Sequence, residues 1–229
     1  MHADTSSVAA VERAVLDRRR FLKGVGVGGI AFGGARVAGE TPFRAMAALT
    51  DSTAVPSRTT HDIPAVDGTD EGILITVSVA FTDNRDGLFV NLNRVEVRHD
   101  LQVALREAAT AARKLTGSRP PAPGILITFT AAGDGVIGLR GKSWEAGLTV
   151  VLAAALAGVS LDPETLVTGV VADDGSLLPV GGIEAKATAA RESGAGRLLV
   201  PEGQAETVPG IDIEAVADIE AALDTVLNG

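Results

Sequence analysis

From Trp144 to Gly158 the chain reads Trp-Glu-Ala-Gly-Leu-Thr-Val-Val-Leu-Ala-Ala-Ala-Leu-Ala-Gly, with no charged residue after Glu145. The run reads as a helix, and a helix that is apolar around its circumference has no face to offer to water. Other elements must enclose it. Hydrophobic residues make up 46% of the 229 but aromatics only 3%, so that enclosure is built from Val, Leu, Ile and Ala.

Candidate cover lies on both sides of the run. Gly72–Thr82 and Gly124–Ala131 are rich in β-branched residues and read as strands. Asn84–Gly87 is a turn signal, and Leu88–Val97 is expected to return from it as the second arm of a hairpin. Asp100 reads as an N-cap for a helix whose Leu101, Leu105, Ala108, Ala112 and Leu115 form one apolar stripe. Gly117 ends that helix, and three nearby prolines block its restart. Val167–Ala172 and Ser176–Val180 flank Asp173-Asp174-Gly175 as a tight hairpin. A helix over Glu184–Ser193, a strand over Arg197–Val200 and a closing helix over Asp218–Leu227 complete the pattern. Strands and helices mix without strict alternation. The expected fold is therefore α+β (an irregular α/β), a mixed sheet with β-hairpins and packed helices.

The first 47 residues read as an export signal. Asp17-Arg18-Arg19-Arg20-Phe21-Leu22-Lys23 is followed by a Gly-rich, mildly apolar run, and Ala45-Met46-Ala47 offers a small-x-small cleavage pattern. This arrangement resembles a twin-arginine signal, and implies a protein exported to the periplasm, cell surface or medium. A retained membrane anchor is the alternative. Residues 48–70 read as a flexible linker and Glu71–Gly229 as the folded domain. A net charge of −9 speaks against nucleic acid as a partner. The chain has no cysteine, and no two of its three histidines stand at ligand spacing, so neither a disulfide nor a metal centre is expected.

Three chemistries compete for the motifs. Gly141-Lys142-Ser143 stands where a phosphate-binding loop would, between a strand and a helix, but Val136 occupies the position that such a loop requires to be glycine. His99 and His61 are candidates for a Ser/His/Asp arrangement, with His61 placed in the linker. The third is a serine and a lysine: Ser143 in front of the buried helix, and Lys186 at the end of Leu178-Pro179-Val180-Gly181-Gly182-Ile183-Glu184-Ala185-Lys186. A desolvated lysine can take the proton that a serine hydroxyl must lose to become a nucleophile.

The stretch Val167-Thr168-Gly169, the Leu-Pro-Val-Gly-Gly turn with its lysine, and Leu199-Val200-Pro201 together resemble the proteolytic domain of the Lon protease family. The resemblance implies a serine endopeptidase with Ser143 as nucleophile and Lys186 as base, and with Thr168 orienting the lysine amine. It implies an acyl-enzyme route, with no cofactor, acting on peptides or unfolded proteins. Lys142 before the serine and Trp144-Glu145 after it depart from the family pattern. The 229 residues hold no phosphate loop, so ATP-independent cleavage is expected. A catalytically inactive binding or scaffolding module is the alternative, and a homo-oligomer is left open.

Overall fold

The computed structural model describes residues 58–97, 101–139 and 141–228. The twin-arginine segment, the cleavage pattern at Ala47, His99 and the Asp100 cap lie outside the described residues.

Four helices and eleven strands occur among the described residues. Strands β1 (Thr59–Val66), β2 (Gly72–Thr82), β3 (Gly87–Asn93) and β5 (Gly124–Ala131) make one sheet in the order β1-β2-β5-β3. Its β1/β2 and β2/β5 pairs are antiparallel and its β3/β5 pair is parallel. A second, parallel sheet runs β11 (Asp212–Val216), β10 (Arg197–Pro201), β7 (Thr165–Val167). Two small ladders pair β4 (Val95–Val97) with β6 (Ile137–Leu139), and β8 (Val170–Val171) with β9 (Leu177–Leu178). The helices are α1 (Leu101–Thr116), α2 (Glu145–Ala157), α3 (Ile183–Glu192) and α4 (Ile219–Asn228). The mixed α+β expectation holds.

Helix α2 is buried along its length up to Ala155, as its composition demands. It packs against α1, α4 and the β1–β2 ribbon. The side-chain alternation of β2 divides its residues between two apolar clusters. Ile75, Val77 and Val79 join α2 in the larger cluster, while Leu74 packs with Ile183 and Ala187 of α3 in the smaller. The ribbon is thus a partition between the helix that follows Ser143 and the helix that carries Lys186. Close approach on the lysine side depends on Gly72, where a Cβ would run into the carbonyl of Ala185.

Two expectations fail. Residues 59–66, read as linker, form β1, paired with β2 from Thr59↔Val79 to Val66↔Gly72. Their Thr, His and Pro content disguises a strand whose Ile63 and Ala65 are fully enclosed. The Asn84–Gly87 turn does lead into β3, yet β3 does not pair with β2, because β1 and β5 already occupy both edges of that strand. Strand β11 was not anticipated at all. Its pattern of exposed and half-buried residues lacks a continuous apolar run. None of the described helices is long and apolar enough to cross a membrane.

Candidate active site

Ser143 and Lys186 line one cavity of about 500 Å³, together with Val66, Asp67, Asp70, Val170 and the Gly181-Gly182 turn. Four separate segments therefore converge on it: the β1–β2 turn, the loop before α2, β8, and the turn before α3. Each owes its placement to local chemistry.

The serine is fixed through its backbone. Its carbonyl accepts two hydrogen bonds, from the Gly169 amide at 2.9 Å and from the Thr168 hydroxyl at 3.1 Å. Gly169 returns the connection, its carbonyl accepting from the Ala146 amide at 3.1 Å. The Thr-Gly pair that follows β7 thereby stitches that strand to the entry of α2. Thr168 is fully enclosed. The expectation that Thr168 orients the lysine amine is corrected: its hydroxyl donates to the serine backbone, and the amine is held elsewhere.

Trp144 completes the fixation. It is 2% exposed, meets Phe129 edge-on at 5.6 Å between ring centres, and donates its indole N–H to the Gly141 carbonyl at 2.9 Å. Packing, with the polar end of the ring satisfied, accounts for this departure from the family pattern.

Lys186 lies in the first turn of α3, its amide donating to the Gly182 carbonyl at 3.0 Å. Gly182 takes the left-handed conformation (φ 70°), where a side chain would both strain the backbone and strike Val66. The Gly-Gly turn thus lets α3 start directly against β1 and aims its first turn inward. The lysine side chain is 1% exposed, and Nζ donates to the Gly181 carbonyl at 2.8 Å. Burial lowers the amine from 10.5 to about 8. Among the described residues no hydrogen bond joins Ser143 to Lys186.

Lys142 adds no like-charge pressure on Lys186: its Nζ pairs with Glu107 of α1 at 3.0 Å, and desolvation alone accounts for the lowered amine. The same ion pair occupies the cation that a phosphate loop would need. His61 also leaves the contest. It is buried in β1, Nε2 lying 3.1 Å from the Thr165 carbonyl, and it is not among the residues lining the cavity.

The α2 amides narrow the choice of oxyanion donors. The Glu145 amide is engaged with the Lys142 carbonyl at 2.9 Å and that of Ala146 with Gly169, which leaves the amides of Ser143 and Trp144 as candidates. Sequence reasoning missed Asp67 and Asp70 of the cavity wall, both assigned to the linker. It also missed the Gly181 carbonyl, for which residue types carry no signal.

Residues 123–227 match the family model described as the Lon protease (S16) C-terminal proteolytic domain. Among curated relatives, the archaeal Lon protease of Halobacterium salinarum is 26% identical over 175 residues, covering 72% of this chain and 24% of the relative. Lon protease 2 of Bacillus subtilis is 25% identical over 180 residues, covering 71% of this chain and 32% of its own length. The Lon protease of Phenylobacterium zucineum is 30% identical over 150 residues, covering 57% and 19%. The chain spans about a third or less of each of these relatives. The matched segment holds Ser143, Thr168 and Lys186, and its mixed α+β architecture agrees with a Lon proteolytic domain.

Proposed function

We propose that the chain is a serine endopeptidase in which Ser143 attacks the scissile carbonyl and Lys186 is its general base. The observation that carries this reading is an enclosed lysine amine, lowered to about 8, facing the same cavity as a serine whose backbone is pinned by Thr168 and Gly169. An amine near 8 is about one-tenth neutral at pH 7, enough for base catalysis, where an ordinary lysine is almost wholly charged. The neutral amine has two N–H bonds and one lone pair. One N–H placed on Gly181 leaves the lone pair to accept the Ser143 proton, a contact that tightens when substrate fills the cavity.

Ser143 Oγ then forms an ester with the acyl half of the substrate. The proton held by Lys186 passes to the leaving amine. Water, deprotonated by the same lysine, cleaves the ester and restores Ser143. The Ser143 and Trp144 amides stabilise the oxyanion of each tetrahedral state. Substrates are peptides or unfolded segments able to reach a cavity of this size. Cleavage proceeds without ATP and, by the export signal read in residues 1–47, outside the cytoplasm.

A second reading has one observation behind it: the lysine amine is bonded to Gly181 and not to the serine. On that reading the fold is a binding or scaffolding module. Hydrolysis of unfolded casein without ATP, by wild type, Ser143→Ala and Lys186→Ala, tests the proposal. Cleavage that is lost in both folded variants supports it. Absence of cleavage by wild type, with no labelling of Ser143 by a serine-reactive probe, supports the module.

A further inference from the structure

Glu145 is a buried ionisable side chain near the serine that the mechanism leaves unused. It stands two residues after Ser143, in the first turn of α2, and is fully enclosed. One carboxyl oxygen accepts from the Val171 amide at 3.3 Å, while the other, Oε1, has no hydrogen-bond partner among the described residues. A buried carboxylate with one long hydrogen bond is an expensive arrangement, and an unpartnered buried oxygen calls for an explanation.

The neighbours supply one. From α1 the Glu107 carboxylate stands beside Glu145 and raises it, and Glu107 also holds Lys142 at 3.0 Å. Lys142, on the loop before α2, is the opposing charge; β8 contributes a backbone amide and no titratable group. Protonated, Glu145 has an O–H to donate to Glu107 while its other oxygen keeps Val171. The connection then runs from β8 through Glu145 and Glu107 to Lys142, the residue before Ser143. Val170, next to Val171, lines the cavity.

We propose that Glu145 is a positioning residue for the nucleophile: its uncharged carboxyl bridges β8 and Glu107, and so holds the Lys142-Ser143 segment in place. Loss of its proton sets two carboxylates against each other and loosens the entry of α2. Burial first, and Glu107 next to it, push this acid up to about 7, against a lowering contribution from Val171 and Lys142. The raised value means that the neutral form prevails below about pH 7 and is lost as pH rises through it. The inference rests on Ser143 and Lys186 as the catalytic pair. It predicts that their pH dependence is cut short on the alkaline side, because the lysine must be neutral while Glu145 keeps its proton.

The chain's single tryptophan, Trp144, lies between the two residues concerned and reports on both. In the 229-residue chain, tryptophan emission should change with a midpoint near pH 7 in wild type and in Ser143→Ala. The change should be absent in Glu145→Gln, which mimics the neutral acid, and its midpoint should fall in Glu107→Gln. At pH 9 only about one molecule in a hundred would retain the proton of an acid titrating near 7. Peptide cleavage by Glu145→Gln should therefore exceed that of wild type at least tenfold there, with the two alike at pH 6. An emission change that is missing in wild type, or persists in Glu145→Gln, overturns the proposal whether or not the chain cleaves anything. Superimposable pH profiles of cleavage overturn it too. The expected emission changes, accompanied by cleavage that survives Ser143→Ala, would instead leave the carboxyl bridge standing and remove the Ser/Lys reading.

Discussion

The entries of α2 and α3 meet the same physical problem with opposite signs. Each buries one ionisable side chain in its first turn, Glu145 on one and Lys186 on the other. Burial pushes the acid up to about 7 and the amine down to about 8, so both are neutral over part of the physiological range. They differ in surroundings. Lys186 has a backbone carbonyl for a partner and a cavity in front of it, whereas Glu145 has another carboxylate and a packed wall. An enclosed group that opens on a cavity can act on substrate. One sealed behind a wall acts only on its neighbours.

The sharpest way to break the comparison is to remove the reacting groups. Ser143→Ala and Lys186→Ala should each lower kcat/KM for peptide cleavage by at least about 1,000-fold, with far-ultraviolet circular dichroism unchanged. Next comes the alkaline recovery expected of Glu145→Gln, described above. Stability then separates the groups further. The folded value of Lys186, about 8, lies below its ordinary 10.5, so the unfolded chain binds the proton more tightly and the buried amine is a liability at neutral pH. Lys186→Met should stabilise the fold by up to about 3 kcal/mol at pH 7, by the free energy of that shift. The gain should shrink as pH rises from 8 towards 10.5, and urea denaturation across that range checks it.

Smaller effects test how each helix is seated. Gly72→Ala drives a methyl group towards the Ala185 carbonyl and should cost about 1–3 kcal/mol in urea unfolding. Activity should fall with it, because α3 carries Lys186. Thr168→Val removes one of two donors to the Ser143 carbonyl, which should cost about 1 kcal/mol and lower kcat several-fold with KM little changed. A larger effect on KM than on kcat would mean that Thr168 shapes binding and not the serine.

The two helix entries were not equally legible. The Leu-Pro-Val-Gly-Gly turn announces α3 because a left-handed Gly182 and a close contact with Val66 admit little else. The apolar run announces α2 for a different reason, since water cannot be offered such a helix. Strands β2 and β5 were readable from their β-branched content, and the stripe of α1 from its period. What was hidden depends on partners distant in sequence. Strand β1 is polar in composition, and only its pairing with β2 shows which residues face inward. The parallel neighbour of β3 follows from the occupied edges of β2. Thr168 was found as a residue and misassigned as to partner, because a residue type does not say which acceptor its hydroxyl will meet. Glu145 was noticed as a departure, but its significance needed Glu107, 38 residues earlier and on another helix.

The central claim is that an enclosed, largely deprotonatable Lys186 makes Ser143 a nucleophile. The most direct test is the rate at which a phosphonofluoridate probe labels the protein, followed by intact mass and peptide mapping from pH 6 to 9. One adduct at Ser143, whose rate in Glu145→Gln climbs with an apparent pKa near 8 and which disappears in Lys186→Ala, is the expected result. Labelling at another residue, or at Ser143 with a rate indifferent to Lys186, would contradict it.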